Sequence, residues 1–218
     1  ILYEDFLPLV AKPARYINQE VNAVRKDHQS VRTKVCLLFP DTYEVGMSHL
    51  GLRILYHVLN SRADTVCERV YSPWIDYEKL LAASGRPLTS LETNVPLASF
   101  DILGITLQYE LSYTNILTAL NLAKIPVRAT DRDNTHPVVI AGGPCAVNPE
   151  PLSDFIDVFF IGEAEESVHE MVELRQRHPD RKEYLAELAK REGFYVPSLG
   201  AATVRRRRLA SIETAPYP

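Results

Sequence analysis

Cysteine is scarce: the 218 residues contain three, Cys36, Cys67 and Cys145, far apart in the chain. A sparse, odd count excludes a disulfide framework and suits a reducing compartment. An iron–sulfur cluster needs several closely arranged thiolates, so these residues alone hold none. Cys36 and Cys67 fall in apolar runs, where a thiol packs as a small hydrophobe. Long apolar stretches are also missing, and none reaches the roughly 18 residues needed to cross a bilayer. The first residues, "ILYEDFLPLVAKPARY", carry acids and prolines where a signal peptide would have a basic start and an apolar core. The expectation is a cytoplasmic protein with no membrane partner. There is no excess of positive charge, with 24 Lys and Arg against 28 Asp and Glu and a net charge of −4. Nucleic acid is therefore not an expected partner. The one basic run, Arg205 to Arg208, has no interleaved aromatics and reads as a solvated strand face or a domain contact. Neither G-x-G-x-x-G nor G-x-x-x-x-G-K-[ST] occurs, which weakens a dinucleotide or triphosphate reading.

What is present is an alternation. Five apolar runs, "KVCLLF" (34–39), "TVCERVYS" (65–72), "FDILGITLQ" (100–108), "PVVIAGG" (137–143) and "IDVFFIG" (156–162), predict strands. Of these "TVCERVYS" is the weakest and reads as a more exposed strand. Near-continuous rather than alternating apolar strands point to a parallel sheet covered on both faces. Helical patterns separate the runs at 51–62, 77–85, 112–125 and 165–178, and another follows at 181–193. The second ends in a glycine suited to a C-cap. Strands alternating with helices predict an α/β, doubly wound, five-stranded mostly parallel sheet with helices on both faces. Residues 1–30 read as an N-terminal extension and 31–180 as the domain. Residues 181–218 read as a C-terminal helix followed by the start of a linker, so a segment of a longer polypeptide is expected. "FYVPSL" and "TVRRRRLAS" suit two short strands of a hairpin or the start of another domain.

In an open parallel sheet, ligands bind outside the carboxyl ends of the strands, where the strand order reverses. Four loops there are unusual. "PDTYEVGMSHLG" (40–51) is long, with Asp41 and His49 as its polar candidates and Gly46 allowing close backbone approach. Either residue has a plain alternative, Asp41 capping its loop and His49 the following helix. "GITLQYELSYTN" (104–115) places Thr106 and Gln108 directly after a buried strand; an ordinary helix cap by Ser112 or Thr114 is the alternative. "AGGPCAVNPEP" (141–151) exposes backbone N–H groups at Gly142 and Gly143, and its prolines predict a rigid, extended loop. "IGEAEES" (161–167) places Glu163 at a strand end, while Glu165 and Glu166 suit the positive end of the next helix dipole.

Together "PDTYEVGMSHLG", "DILGITLQYE", "IAGGPCAVNPEPLSDFID" and "IGEAEE" resemble the N-terminal cobalamin-binding-like domain of radical S-adenosylmethionine (SAM) proteins, in particular a family in which this domain precedes the radical barrel. The resemblance covers roughly residues 12–178. It implies a Rossmann-like (flavodoxin-like) fold and a catalytically silent segment. The iron–sulfur cluster and S-adenosylmethionine would belong to the radical barrel domain of the same polypeptide, its implied partner. It also implies a cobalamin crevice lined by Asp41, Gly46, Thr106, Gln108, Gly142, Gly143 and Glu163. The wider cobalamin-binding fold reads D-x-H-x-x-G in its first loop, with the histidine beneath the cobalt; here Tyr43 takes its position in "DTYEVG". A phenol, with a pKa of about 10, is a poor cobalt ligand beside neutral imidazole. Two readings follow: cobalamin held without a histidine below the metal, or a degenerate module serving domain or substrate interaction.

Overall fold

The computed structural model describes residues 3–200, 203–209, 211, 213 and 216. Among the described residues the sheet has six strands, in the order β2-β1-β3-β4-β5-β6. They are β1 (Thr33–Phe39), β2 (Thr65–Tyr71), β3 (Ile102–Thr106), β4 (Val138–Gly142), β5 (Val158–Phe160) and β6 (Phe194–Tyr195). The first five run parallel, as their apolar runs predict, and β6 is an added antiparallel strand on β5. "FYVPSL" thus joins the main sheet instead of forming a hairpin with the tail. Among the described residues the tail contributes a bridge, Gly162 to Arg207.

The helices are α1 (Tyr43–Gly46, one turn), α2 (Leu50–Ser61), α3 (Ile75–Ser84), α4 (Tyr113–Leu122), α5 (Ser167–Arg177) and α6 (Arg181–Leu188). Side chains of α2, α5 and α6 pack with Val35, Leu37, Ile140 and Phe160 on one sheet face. Those of α3 and α4 pack with Cys36, Leu38, Leu103 and Val139 on the other. Each strand feeds both cores because neighbouring side chains point to opposite faces. Gly85 caps α3 with φ 70°, a left-handed conformation open to glycine. Asp180 caps α6 by accepting the N–H groups of Lys182 and Glu183. The helix cap by Ser112 or Thr114, the alternative reading of the 104–115 loop, is not made on α4; Ser112 Oγ donates instead to the Tyr109 carbonyl.

One expectation is overturned at β2. Every one of its residues is buried, although it lies at the edge of the sheet. Its charged pair, Glu68 and Arg69, made it look solvated. The N-terminal segment and the loop around Glu92 cover that edge and supply partners for the charges. His28 Nε2 lies 2.7 Å from Glu68, and Arg69 pairs with Glu20 at 2.9 Å and Glu92 at 2.7 Å. Lys26 donates to the carbonyls of Asn60, Arg62 and Thr65. The N-terminal segment, described from residue 3 to 30, is therefore packed onto the domain. The 141–151 loop also differs from the extended path expected. Pro144 and Pro151 sit in the first turns of two short 3-10 segments, where a missing N–H costs nothing.

Candidate functional site

The strand order reverses at β1, between β2 and β3, which puts the crevice at the carboxyl ends of β1 and β3. A cavity of about 260 Å³ opens there and runs back between α2 and α5 over the sheet. Its floor is Val35, Leu37, Gly104, Ile140 and Phe160, and Leu52, Leu55, Val168 and Met171 wall it from the helices. The interior is apolar, with polar groups gathered near the strand ends.

Five of the eight sequence-derived site residues line this cavity: Thr106, Gln108, Gly142, Gly143 and Glu163. The loops after β3 and β4 are stitched together, Leu107 N–H donating to the Gly142 carbonyl at 2.6 Å and Cys145 N–H to that of Leu107 at 3.1 Å. Gln108 Nε2 donates to Thr106 Oγ1. Gly143 has φ 108°, and a Cβ there would lie 2.8 Å from the Leu107 oxygen, so only glycine fits without strain. Gly142 is different. A Cβ there would meet only ordinary contacts within the protein, so its bareness serves the cavity. The Glu163 carboxylate accepts the N–H of Leu209 at 2.6 Å and lies 3.5 Å from Arg206, which turns it toward the tail.

The other three, Asp41, Tyr43 and Gly46, do not line the cavity. Asp41 accepts the N–H of Thr42 and the hydroxyl of Tyr109. Tyr43 donates to Glu20 at 2.8 Å and stands edge-on to Tyr71, and burial with the adjacent Glu20 carboxylate pushes its phenol up to about 12. Gly46 is buried, and a Cβ there would come within 2.7 Å of the Phe39 and Tyr71 rings, so it lets α1 press on them. These residues shape the first loop and tie it to the N-terminal segment.

His49 does reach the cavity. Its Nδ1 accepts the Leu52 N–H at 3.1 Å, capping α2. In the neutral ring that acceptor role places the proton on Nε2, so neither nitrogen offers a lone pair to a metal. Among the described residues no three His, Cys, Asp or Glu side chains come together as a metal site. The thiols of Cys36 and Cys67 are fully buried, which pushes both well up. Sequence reasoning passed over Gly104, Glu165 and Ser167. Gly104 carried a readable signal, since a glycine inside a buried strand marks close approach of a ligand or backbone. Glu165 and Glu166 were assigned to the first turn of a helix, but α5 starts only at Ser167.

Residues 51–197 match the family model described as radical SAM proteins, N-terminal, a span of more than half the chain. The chain belongs to that family. It is 30% identical over 134 residues to an uncharacterised protein of Methanocaldococcus jannaschii, a match covering 61% of this chain and 24% of the relative. The chain thus spans about a quarter of that relative's length. The radical SAM methyltransferase TsrM of Kitasatospora setae, solved with tryptophan and a SAM analogue, is 16% identical with a TM-score of 0.49 over 79% of this chain and 30% of TsrM. Among the described residues no helix is long and apolar enough to cross a membrane.

Proposed function

We propose that residues 31–180 are the cofactor-holding unit of a radical SAM enzyme and that the cofactor is cobalamin. The cavity at the reversal of strand order carries this reading. Its volume falls just below that of ligand pockets, which run from about 300 Å³ upward. It therefore suits the flat, apolar end of a larger molecule, with the bulk outside over the carboxyl edge. The donor set fits such a ligand. Gly142 keeps the floor bare, Gly104 makes room for Leu37, the walls are aliphatic, and Thr106 and Gln108 supply polarity at the mouth. Cobalamin, if bound, would supply a redox-active cobalt. In this reading no side chain of this segment would ligate the cobalt, because His49 is committed to its helix and Tyr43 to Glu20. The crevice is not blocked by tyrosines, since neither Tyr43 nor Tyr109 lines it.

The segment is catalytically silent in this proposal. The iron–sulfur cluster, S-adenosylmethionine and the radical step belong to a barrel elsewhere in the polypeptide. Exposed apolar side chains crowd the carboxyl edge, with Val45, Leu50, Trp74, Ile75, Leu111 and Val147 all in or beside its loops. That patch suits contact with a following domain, and it also favours the second reading, an interaction module without cofactor. The visible spectrum of the full-length protein after reconstitution with cobalamin separates the two. Retained cobalamin at one per chain, lost in Gly104→Leu, is expected. A colourless protein leaves the interaction module.

A further inference from the structure

Two polar atoms at the cavity wall have no partner in the protein. Ser167 Oγ and Glu165 Oε2 are buried and make no hydrogen bond among the described residues. Both residues line the cavity, and Ser167 is only 2% exposed. Leaving such atoms unpaired in a native interior is costly, and few are found. The N-terminus of α5 beside them has no side-chain cap, as is also true of α1, α3 and α4, so neither atom is engaged by the helix.

Charge narrows the ligand. Glu163, Glu165 and Glu166 are clustered here, and Glu163 is already engaged by the tail. An anionic ligand group at this wall would meet like charge, whereas an N–H or O–H group would find an unpaired acceptor.

We infer that Glu165 and Ser167 are the recognition groups of the cavity, taking hydrogen bonds from N–H or O–H donors of an uncharged ligand portion and disfavouring phosphate or carboxylate there. The inference rests on the cofactor reading of this cavity and sharpens it. The carboxamides and ribose hydroxyl of cobalamin are donors of this kind, and its phosphodiester is not accepted beside α5.

The test is calorimetric titration of the full-length protein with hydroxocobalamin, with a benzimidazole ribonucleoside, and with that nucleoside's phosphate. Wild type is compared with Ser167→Ala and Glu165→Gln. Each substitution is expected to weaken cobalamin and nucleoside binding about tenfold, the weight of one buried hydrogen bond. The phosphate should bind wild type more weakly than the nucleoside does and regain affinity in Glu165→Gln. Without ligand, Ser167→Ala should melt at or above the wild-type temperature, because it removes an unpaired hydroxyl; a merely structural serine would give a lower one. Cobalamin bound equally by all three proteins overturns the recognition role and leaves the cofactor reading standing. Nucleoside bound without cobalamin does the reverse, and a wild type that binds neither overturns both.

Discussion

The carboxylate of Glu163 accepts the backbone N–H of Leu209 at 2.6 Å, fastening the end of β5 to the tail of the chain. Backbone bonds extend the contact: Arg207 N–H donates to the Ile161 carbonyl at 3.0 Å, and Glu163 N–H to that of Arg207 at 3.2 Å. Gly162 makes room, since a Cβ there would lie 2.2 Å from the Arg207 oxygen. The residues that close the cavity mouth therefore also hold the chain leading away from it.

Glu163→Ala should loosen that hold. Arg205 to Arg208 are trypsin sites, and protection reflects how often the tail opens. A partly exposed hydrogen bond to a carboxylate contributes about 1 kcal/mol, which predicts roughly fivefold faster cleavage. Mass spectrometry of timed digests measures this. Equal rates in wild type and variant would mean that the backbone bonds alone hold the tail.

Asp157 is the buried centre of a second set of contacts. Its Oδ2 lies 2.9 Å from Arg132 and 2.6 Å from Arg181, and accepts the Val139 N–H at 2.7 Å. All three side chains are nearly inaccessible. Asp157→Ala leaves two guanidiniums buried without their carboxylate, a loss of about 3–5 kcal/mol. Urea denaturation should show the midpoint falling accordingly, and a change below about 1 kcal/mol would contradict the assignment.

Gly143 tests the turn at the cavity rim. Gly143→Ala forces a side chain into φ 108° and against the Leu107 oxygen. The expected cost is about 1–3 kcal/mol, read by thermal melting. Gly142→Ala, with ordinary contacts around the new Cβ, should melt like wild type, so the pair isolates strain from the mere loss of a glycine.

Acid should loosen the contact between the N-terminal segment and α1. The hydrogen bond from Arg15 holds the Glu44 carboxyl down at about 2, with Lys12 assisting. A lowered pKa in the folded state gives stability that is present above the unfolded value and is lost as pH falls from about 4.5 toward 2. Glu44 is 41% exposed, so solvent screening limits the contribution to about 1 kcal/mol or less. The Arg15 guanidinium sits 5.2 Å from the ring of Trp74, the single tryptophan of these residues. Its fluorescence should change across that pH window in wild type and stay flat in Glu44→Gln.

The parallel core was legible because its strands are apolar runs whose burial does not depend on distant partners. β2 was not, since Glu68 and Arg69 are buried only by virtue of His28, Glu20 and Glu92, which periodicity cannot connect. The same limit governs the site. Thr106, Gln108, Gly142 and Gly143 follow strand ends, and topology alone brings strand ends to one edge. Where Tyr43 points depends on Glu20, 23 residues earlier, in a segment with no readable period. Ser167 carried no mark at all, because what singles it out is an unpartnered hydroxyl at the cavity wall.

The placement of β1 separates the stretch that the family model matches from the stretch that folds. The family match begins at residue 51, after β1 has ended at Phe39. Yet β1 lies between β2 and β3, pairing with both, and carries part of the cavity floor. A gene trimmed to the matched region would encode a sheet with its middle plank removed and β2 stranded. Keeping the cover over Arg69 moves the start further back, before Glu20. The matched stretch is thus shorter than the body that folds, and expression boundaries belong to the body.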